Sequence, residues 1–497
     1  MNFIQDMLHF TRHIRFLIFV IMMGSVSIPG IAQQNQTMYF MKIPQARFMN
    51  PAFQNECNFY LGFPGINSTY LGVNNNSIGF NDVIFPGTGE QADSLITFLH
   101  PSYNVDDFLN KLKPYNQIAP EMNLTAFSLG FWSGNAYISI DITEKFASNL
   151  AFPDDLFILA LKGNASFAGS YIDLDKLAVD AMYYREFGFG YSREFIPGLT
   201  IGIRPKLLFG MANLTLKNQE LKIEIDENNL YAHNIIADAS MNISFPMNVY
   251  TDDEGYVDSI EVGEPEMPGF LLDFNNPGAG IDIGATFDIN ERFSVSASVV
   301  DIGFIRWKND VTNLTSKGTF LFQGIDVTPL FDAVDPGDFD TIADHFLDSL
   351  KATFNPIATS DPYTTWLPMK VYIGGVFHLT DKVHFGLLSK TTFQGKRIWP
   401  SFTASVNAEA GRFLTTSFSY TIATGTYDNL GIGIGIRGGP FQFYFITDKI
   451  IYNLSRYKFE GDNTILLPDN LSSFNFRFGL NLMFGCKPKK LTDRPLY

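Results

Sequence analysis

From Ser473 to Phe484 the chain alternates without a break. Phe474, Phe476, Phe478, Leu480, Leu482 and Phe484 share one face of an extended strand. Ser473, Asn475, Arg477, Gly479 and Asn481 share the other, with Met483 the one apolar member of that set. A period of two sends successive side chains to opposite faces. Aromatics and leucines on one side, with Ser, Asn, Arg and Gly on the other, is the pattern of a strand with lipid outside and a polar lumen inside. A soluble sandwich strand alternates too, but more often with a β-branched inner face and a charged outer one. The rest of the chain separates the two readings.

Arg12, His13 and Arg15 precede an apolar run from Phe16 to Ile28, and Pro29-Gly30-Ile31-Ala32 supplies a small-x-small cleavage site. Residues 1–32 therefore read as an export signal peptide. The run is short for a spanning helix, which needs about 20 residues, and no Cys follows the site as a lipoprotein would require. Losing Asp6, Arg12 and Arg15 leaves the mature chain slightly more acidic than the full chain's net charge of −16. That balance argues against nucleic acid as a partner. No long apolar stretch follows residue 32, yet 46% of residues are hydrophobic and only 17% charged, against about 25% charged in ordinary soluble proteins. Phe occurs 49 times. A barrel resolves this shortage of polar surface by turning apolar side chains to lipid while pairing every backbone group between strands.

The expected fold is all-β, a transmembrane antiparallel β-barrel. Read back from the C-terminus, long outer loops should alternate with short periplasmic turns. Strands at 472–484, 440–451, 429–436, 413–423, 400–408, 383–391, 367–379, 293–303, 279–287, 199–215, 181–193, 135–145, 121–130 and 57–73 satisfy this and total fourteen. Residues 57–486 are the barrel, 33–56 a plug-like N-terminal segment and 487–497 a periplasmic tail. Leu221–Ile225 and Met241–Phe245 look like further strands and are placed as an extracellular hairpin. Helical spacing marks Tyr103–Leu112, Asp155–Leu161 and Asp338–Phe354 in outer loops. Trp307, Trp366 and Trp399 fall at outer strand ends and Trp132 at an inner turn, where aromatic belts sit.

Three separated motifs carry a resemblance: Tyr39-Phe40-Met41 with Ile43-Pro44-Gln45-Ala46 and Asn50-Pro51-Ala52-Phe53; Asp301-Ile302-Gly303-Phe304-Ile305-Arg306-Trp307; and Gly438-Gly439-Pro440-Phe441-Gln442. Together they make the chain resemble an uncharacterised outer-membrane barrel family of the Bacteroidota. Members are similar in architecture to the fatty-acid transporter FadL and to PorV, a type IX secretion component. The resemblance implies a fourteen-stranded barrel with the N-terminal segment inside, and supplies no catalytic residue.

Strand phase points Arg204, Lys206, Lys370, Arg437 and Arg477 into the lumen, with Asp141 and Asp282. The functional reading is a cationic site for an anionic head group, to which Arg donates bidentate hydrogen bonds; the structural reading is an internal network that neutralises itself and fixes the plug. Pro64-Gly65 interrupts the first strand and Pro205 the fifth, each marking a bulge or local opening because proline cannot donate to a ladder. The FadL resemblance makes Pro64-Gly65 a candidate lateral opening. His378 and His384 flank one turn and read as solvated turn residues rather than a metal pair. The acidic stretches Thr251–Glu266 and Asp332–Asp348 lack the calcium-loop pattern, and no catalytic motif occurs. No enzyme activity, cofactor or metal is expected.

Cys57 begins the first strand and Cys486 ends the last. Closure pairs those strands antiparallel, so the two thiols should be neighbours, either bridged in the oxidising periplasm or unlinked. The expected function is passage or capture of a small hydrophobic or amphiphilic ligand in the cell outer membrane, with membrane lipid around it. The alternative is a PorV-like barrel that docks secreted or surface proteins.

Overall fold

The computed structural model describes residues 36–486 apart from 88–93, 102, 230–231, 252–256, 263–273, 323–356, 396, 424–425, 452–453, 460–462 and 469–472. The signal peptide, the 487–497 tail, the helix expected at Asp338–Phe354 and most of both acidic stretches lie outside the described residues.

Fourteen strands close one antiparallel wall. In chain order they are β1 (Cys57–Gly62, resuming as Ser68–Asn75), β2 (Asn116–Ser133), β3 (Ala136–Phe152), β4 (Ala178–Ile196), β5 (Leu199–Ile225), β6 (Asn276–Asp288), β7 (Phe293–Trp307), β8 (Tyr363–Trp366, resuming as Met369–His378), β9 (Val383–Gln394), β10 (Arg397–Ala410), β11 (Leu414–Ala423), β12 (Thr426–Gly438), β13 (Phe441–Thr447) and β14 (Phe474–Cys486). Each pairs with the next, and β14 closes on β1 with Cys57 opposite Cys486 and Phe59 opposite Phe484. Closure removes the unpaired edges that an open sheet would present to lipid.

The period-two pattern sets what faces where. On β10 and β11, Phe402, Val406, Phe418 and Ile422 are exposed outward, while Ser401, Thr403, Ser405, Ser417 and Ser419 are buried. Buried hydroxyls line the inside because something polar fills it. No helix among the described residues is long and apolar enough to cross a membrane.

β5 runs for 27 residues, well beyond the roughly 9–11 needed to cross a bilayer. Its lower part pairs with β6, and its upper part from Asn213 pairs with the strand His233–Ser244, which pairs in turn with Val311–Phe322. The extra strands thus extend the rim and leave the wall count at fourteen. Pro205 sits within β5 opposite Ile281 of β6, while the ladder to β4 is broken between Gly188–Lys206 and Tyr191–Ile203. The outer helices span Val105–Leu109 and Asp155–Lys162. Asn104 caps the first by accepting from the Asp106 N–H at 3.1 Å. Phe108 stacks on Phe98 at 4.0 Å and meets Phe157 at 5.7 Å, which ties the two loops together.

The tryptophan belt needs correction. Trp366 is 73% exposed, but Trp307 is fully buried and Trp399 nearly so. Trp307 packs on Met182, Leu208 and Leu367, and donates from its indole N–H to Thr365 Oγ1 at 2.8 Å. The cause is local. Asp301 holds φ at +61°, and beyond it the even residues Ile302 and Phe304 face out where Phe293 and Val295 did before. One left-handed residue has reversed the phase of the strand end.

Candidate functional site

The N-terminal segment fills the periplasmic half of the lumen. Two short 3-10 turns, Thr37–Phe40 and Pro44–Phe48, fold it back and forth; Pro44 stands where its missing N–H costs nothing. Met38, Tyr39, Met41, Ile43 and Met49 pack on the wall residues Val300, Tyr372, Leu388, Tyr444 and Ile446. Polar anchors surround this apolar centre. Gln36 donates to Ser401 at 2.7 Å, the Thr37 N–H to Asp448 at 2.8 Å, and Gln45 to Asn481 at 2.7 Å and Asn67 at 2.8 Å. Arg47 pairs with Asp141 and donates to Ser128 at 2.7 Å.

The wall makes room for the segment with glycine. A Cβ on Gly202 would stand 2.2 Å from the Pro51 backbone, one on Gly386 2.3 Å from the Phe40 ring, and one on Gly433 2.3 Å from Met41 Sδ. Glycine is required there for close approach rather than for backbone freedom.

Above the plug lies an ion network. Arg204 reaches Glu186 at 2.7 Å, Asp282 at 3.0 Å and Asp141 at 3.4 Å. Lys206 holds Asp282 and Asp301, both at 2.6 Å. Lys370 pairs with Asp301 at 3.1 Å, and Lys145 with Glu186 at 2.7 Å. Buried charges persist only when paired and hydrogen-bonded, and removing one partner of such a pair costs about 3–5 kcal/mol. Through Asp141 the network reaches Arg47, so plug and wall share one electrostatic unit.

A cavity of about 560 Å³ opens above it. Met38, Phe48 and Met49 of the plug line it, as do Lys145, Arg204, Lys206, Lys370 and Arg477; Tyr184, Tyr372 and Trp399 add aromatic wall. It extends to Gln394 and Arg397 at the outer end of β9 and β10.

The structure thus brings Arg204, Lys206 and Lys370 into one network. Arg477 lines the same cavity, donates to Ser68 at 2.6 Å and lies over the Tyr70 ring at 5.0 Å. Arg437 is a correction. It stands at the periplasmic end of β12, donating to the Gly439 carbonyl at 3.4 Å and reaching Cys57 Sγ at 3.9 Å, outside the cavity lining. Phase gives the face of a residue and says nothing of its depth.

Pro64-Gly65 lies in a loop that leaves the ladder. Gly62 pairs with Asn481 and Thr69 with Phe478, so seven steps along β1 match three along β14. Gly65 takes φ +78°, and the Phe63 and Gly65 N–H groups still bond to Leu480 and Ala126. Behind the loop, Asn67 is fully buried and its carbonyl accepts from Tyr444 at 2.9 Å. Cys57 and Cys486 form a disulfide across the seam.

His378 and His384 are also a correction, because neither is solvated. Both are over nine-tenths buried, with their Nδ1 atoms 2.7 Å apart. Each backs onto an acceptor: His384 Nε2 to Glu409 at 3.1 Å, His378 Nε2 to Ser294 at 3.3 Å. Among the described residues no group of three His, Cys, Asp or Glu gathers as a metal site.

Sequence reasoning missed Arg47, Lys145, Glu186 and Asp301. Glu186 shares the inner phase of Tyr184 and Gly188 and was findable. Asp301 was not, since it is the residue that breaks the phase, and Arg47 lies in a segment with no period to read.

These features define an all-β closed barrel of outer-membrane type. The chain belongs to a family of unknown function (DUF5723), whose pattern matches residues 51–448. No curated protein matches it. Among solved structures it is similar to the toluene transporter TbuX of Ralstonia pickettii, at 10% identity and TM-score 0.42, covering 92% of this chain and 99% of that one. It is likewise similar to a Pseudomonas aeruginosa FadL homologue, at 11% identity and TM-score 0.41, covering 92% and 97%. A third is the monoaromatic hydrocarbon channel CymD, at 9% identity and TM-score 0.42, covering 92% and 98%.

Proposed function

We propose that this protein resides in the outer membrane and admits a small hydrophobic or amphiphilic molecule into the outer half of its lumen. The observation that carries this reading is the cavity of about 560 Å³, a size within the range of small-molecule sites. Its floor of Met38, Phe48 and Met49 and its aromatic wall suit an apolar body. Arg204, Lys206 and Lys370 are held by wall carboxylates, so they act first as supports that keep the cavity open above the plug. The docking alternative calls for a filled lumen, whereas among the described residues filling is confined to the periplasmic half. We assign the protein no catalytic role.

The test is mass spectrometry of organic extracts from protein purified out of native membranes, beside a Met49→Trp variant that obstructs the cavity floor. A small apolar molecule retained at near-stoichiometric amount by the parent and lost in the variant is the expected result. Equal extracts from both would overturn the reading.

A further inference from the structure

The paired histidines at the periplasmic end of β8 and β9 take no part in the cavity. They sit directly opposite each other in the ladder, His378 against His384, with rings 4.5 Å apart. A contact of 2.7 Å between two Nδ1 atoms needs one nitrogen to donate and the other to accept. It therefore tolerates one Nδ1 proton and excludes two.

The pair is wired to the plug. Glu409 accepts from His384 Nε2 at 3.1 Å and from Lys42 of the plug at 3.0 Å, both on Oε1. Lys42 also reaches Glu56 at 3.1 Å, where the plug hands over to β1. On the other side His378 meets Ser294, whose hydroxyl donates to Asp288 at 2.6 Å. The described contacts thus link the pair to the charged groups Asp288, Glu409, Glu56 and Lys42. Arg292, Asp381 and Lys382 lie in the flanking turns, with the Arg292 and Lys382 carbonyls accepting from the His378 and Glu409 N–H groups at 2.8 Å.

We propose that His378 and His384 form an acid-sensitive latch that holds the periplasmic end of the plug to the wall through Glu409 and Lys42. Histidine is the side chain whose charge ordinarily changes between pH 5 and 8. When both rings are protonated, two N–H groups face each other where one hydrogen bond stood, and the rings part. The added positive charge also competes with Lys42 for Glu409 Oε1. Lys42 then loses its hold, and the turn between the two 3-10 segments loosens while Arg47 and Gln45 keep the upper plug in place. The periplasmic side of the plug becomes mobile in acid and stays held at neutral pH.

Hydrogen exchange of the full chain in detergent, read by mass spectrometry over residues 38–49 and corrected for intrinsic rates, tests this. Protection should fall about tenfold between pH 7.5 and pH 5, as expected on losing one ordinary hydrogen-bonded contact. His378→Gln removes the second titrating ring and should abolish the step. Lys42→Met should also abolish it while leaving both histidines, which keeps the test decisive if the histidine variant does not fold. Protection that is the same at both pH values in the parent, or a step that survives in Lys42→Met, would overturn the latch. Neither outcome bears on whether the outer cavity binds a ligand.

Discussion

Gly202, Gly284, Gly374 and Gly386 meet the plug in the periplasmic half of the lumen, while in the outer half the same four strands present Lys206, Asp282, Lys370 and Lys390. Each strand changes from no side chain to a charged one within a few residues, always on the inner face. The periplasmic half works as a socket, because glycine lets the backbone of Pro51 and the ring of Phe40 lie against the wall. The outer half works as a frame, in which paired charges brace one another across a space that no described segment fills. The comparison teaches that one half of the lumen is closed by close fit and the other kept open by electrostatic bracing. Arg47 is the joint, a plug residue anchored to Asp141, which Arg204 also reaches.

The largest expected effect is at the rim of the socket. The Cys57–Cys486 bridge spans 429 residues of sequence, and loop-closure arguments credit such a bond with on the order of 5 kcal/mol. Cys57→Ser with Cys486→Ser should lower the temperature of heat-modifiable gel migration by several degrees. An unchanged temperature, or peptide maps without the bridge, would remove the seam from the comparison.

Next is the joint itself. Arg47→Met leaves Asp141 buried without its plug partner and should cost about 3–4 kcal/mol, read as the denaturant midpoint in lipid vesicles. If only the plug loosens while the outer network persists, the halves are separable; if both fail together, they are one unit.

The socket is tested with less force by Gly202→Ala, which drives a methyl group into the Pro51 backbone and should cost about 1–3 kcal/mol. Gly375→Ala is its control, since a Cβ there meets nothing within 4 Å, and its effect should stay within about 0.5 kcal/mol. Equal effects would deny that the glycines are there for the plug.

The smallest effect is at Lys42. Burial pulls its ammonium down, and Glu56 and Glu409 more than offset that, holding it above its ordinary value. A raised value means the contribution is fully present from neutral pH up to the unfolded lysine value of about 10.4 and fades as pH rises through the folded one. Lys42→Gln should therefore differ from the parent at pH 8 and converge on it in strong alkali, with a gap under about 1 kcal/mol because the side chain is partly exposed.

Much of the wall was legible because its information is local. In β14 the alternation around Phe476 and Arg477 needs only a period of two to assign each residue a face, and turns such as that ending at Gly198 set the direction of the next strand. The same locality marked Arg204, Lys206 and Lys370 as lumenal. It failed where a single backbone angle intervened: Asp301 at φ +61° turned Trp307 inward, away from its expected place in the aromatic belt.

By itself, then, the sequence determined the fold class, the strand count, the inward face of most charges and the meeting of Cys57 with Cys486, since each follows from periodicity, turn spacing or the closure of a sheet on itself. Only the tertiary structure decided depth and partnership. It placed Arg437 at the periplasmic rim instead of the cavity, buried His378 against His384 beside Glu409, and gave the network its hub at Asp301. Those outcomes depend on side chains from strands and plug residues far apart in the chain meeting in one lumen, and no local pattern records which of them will share the same height.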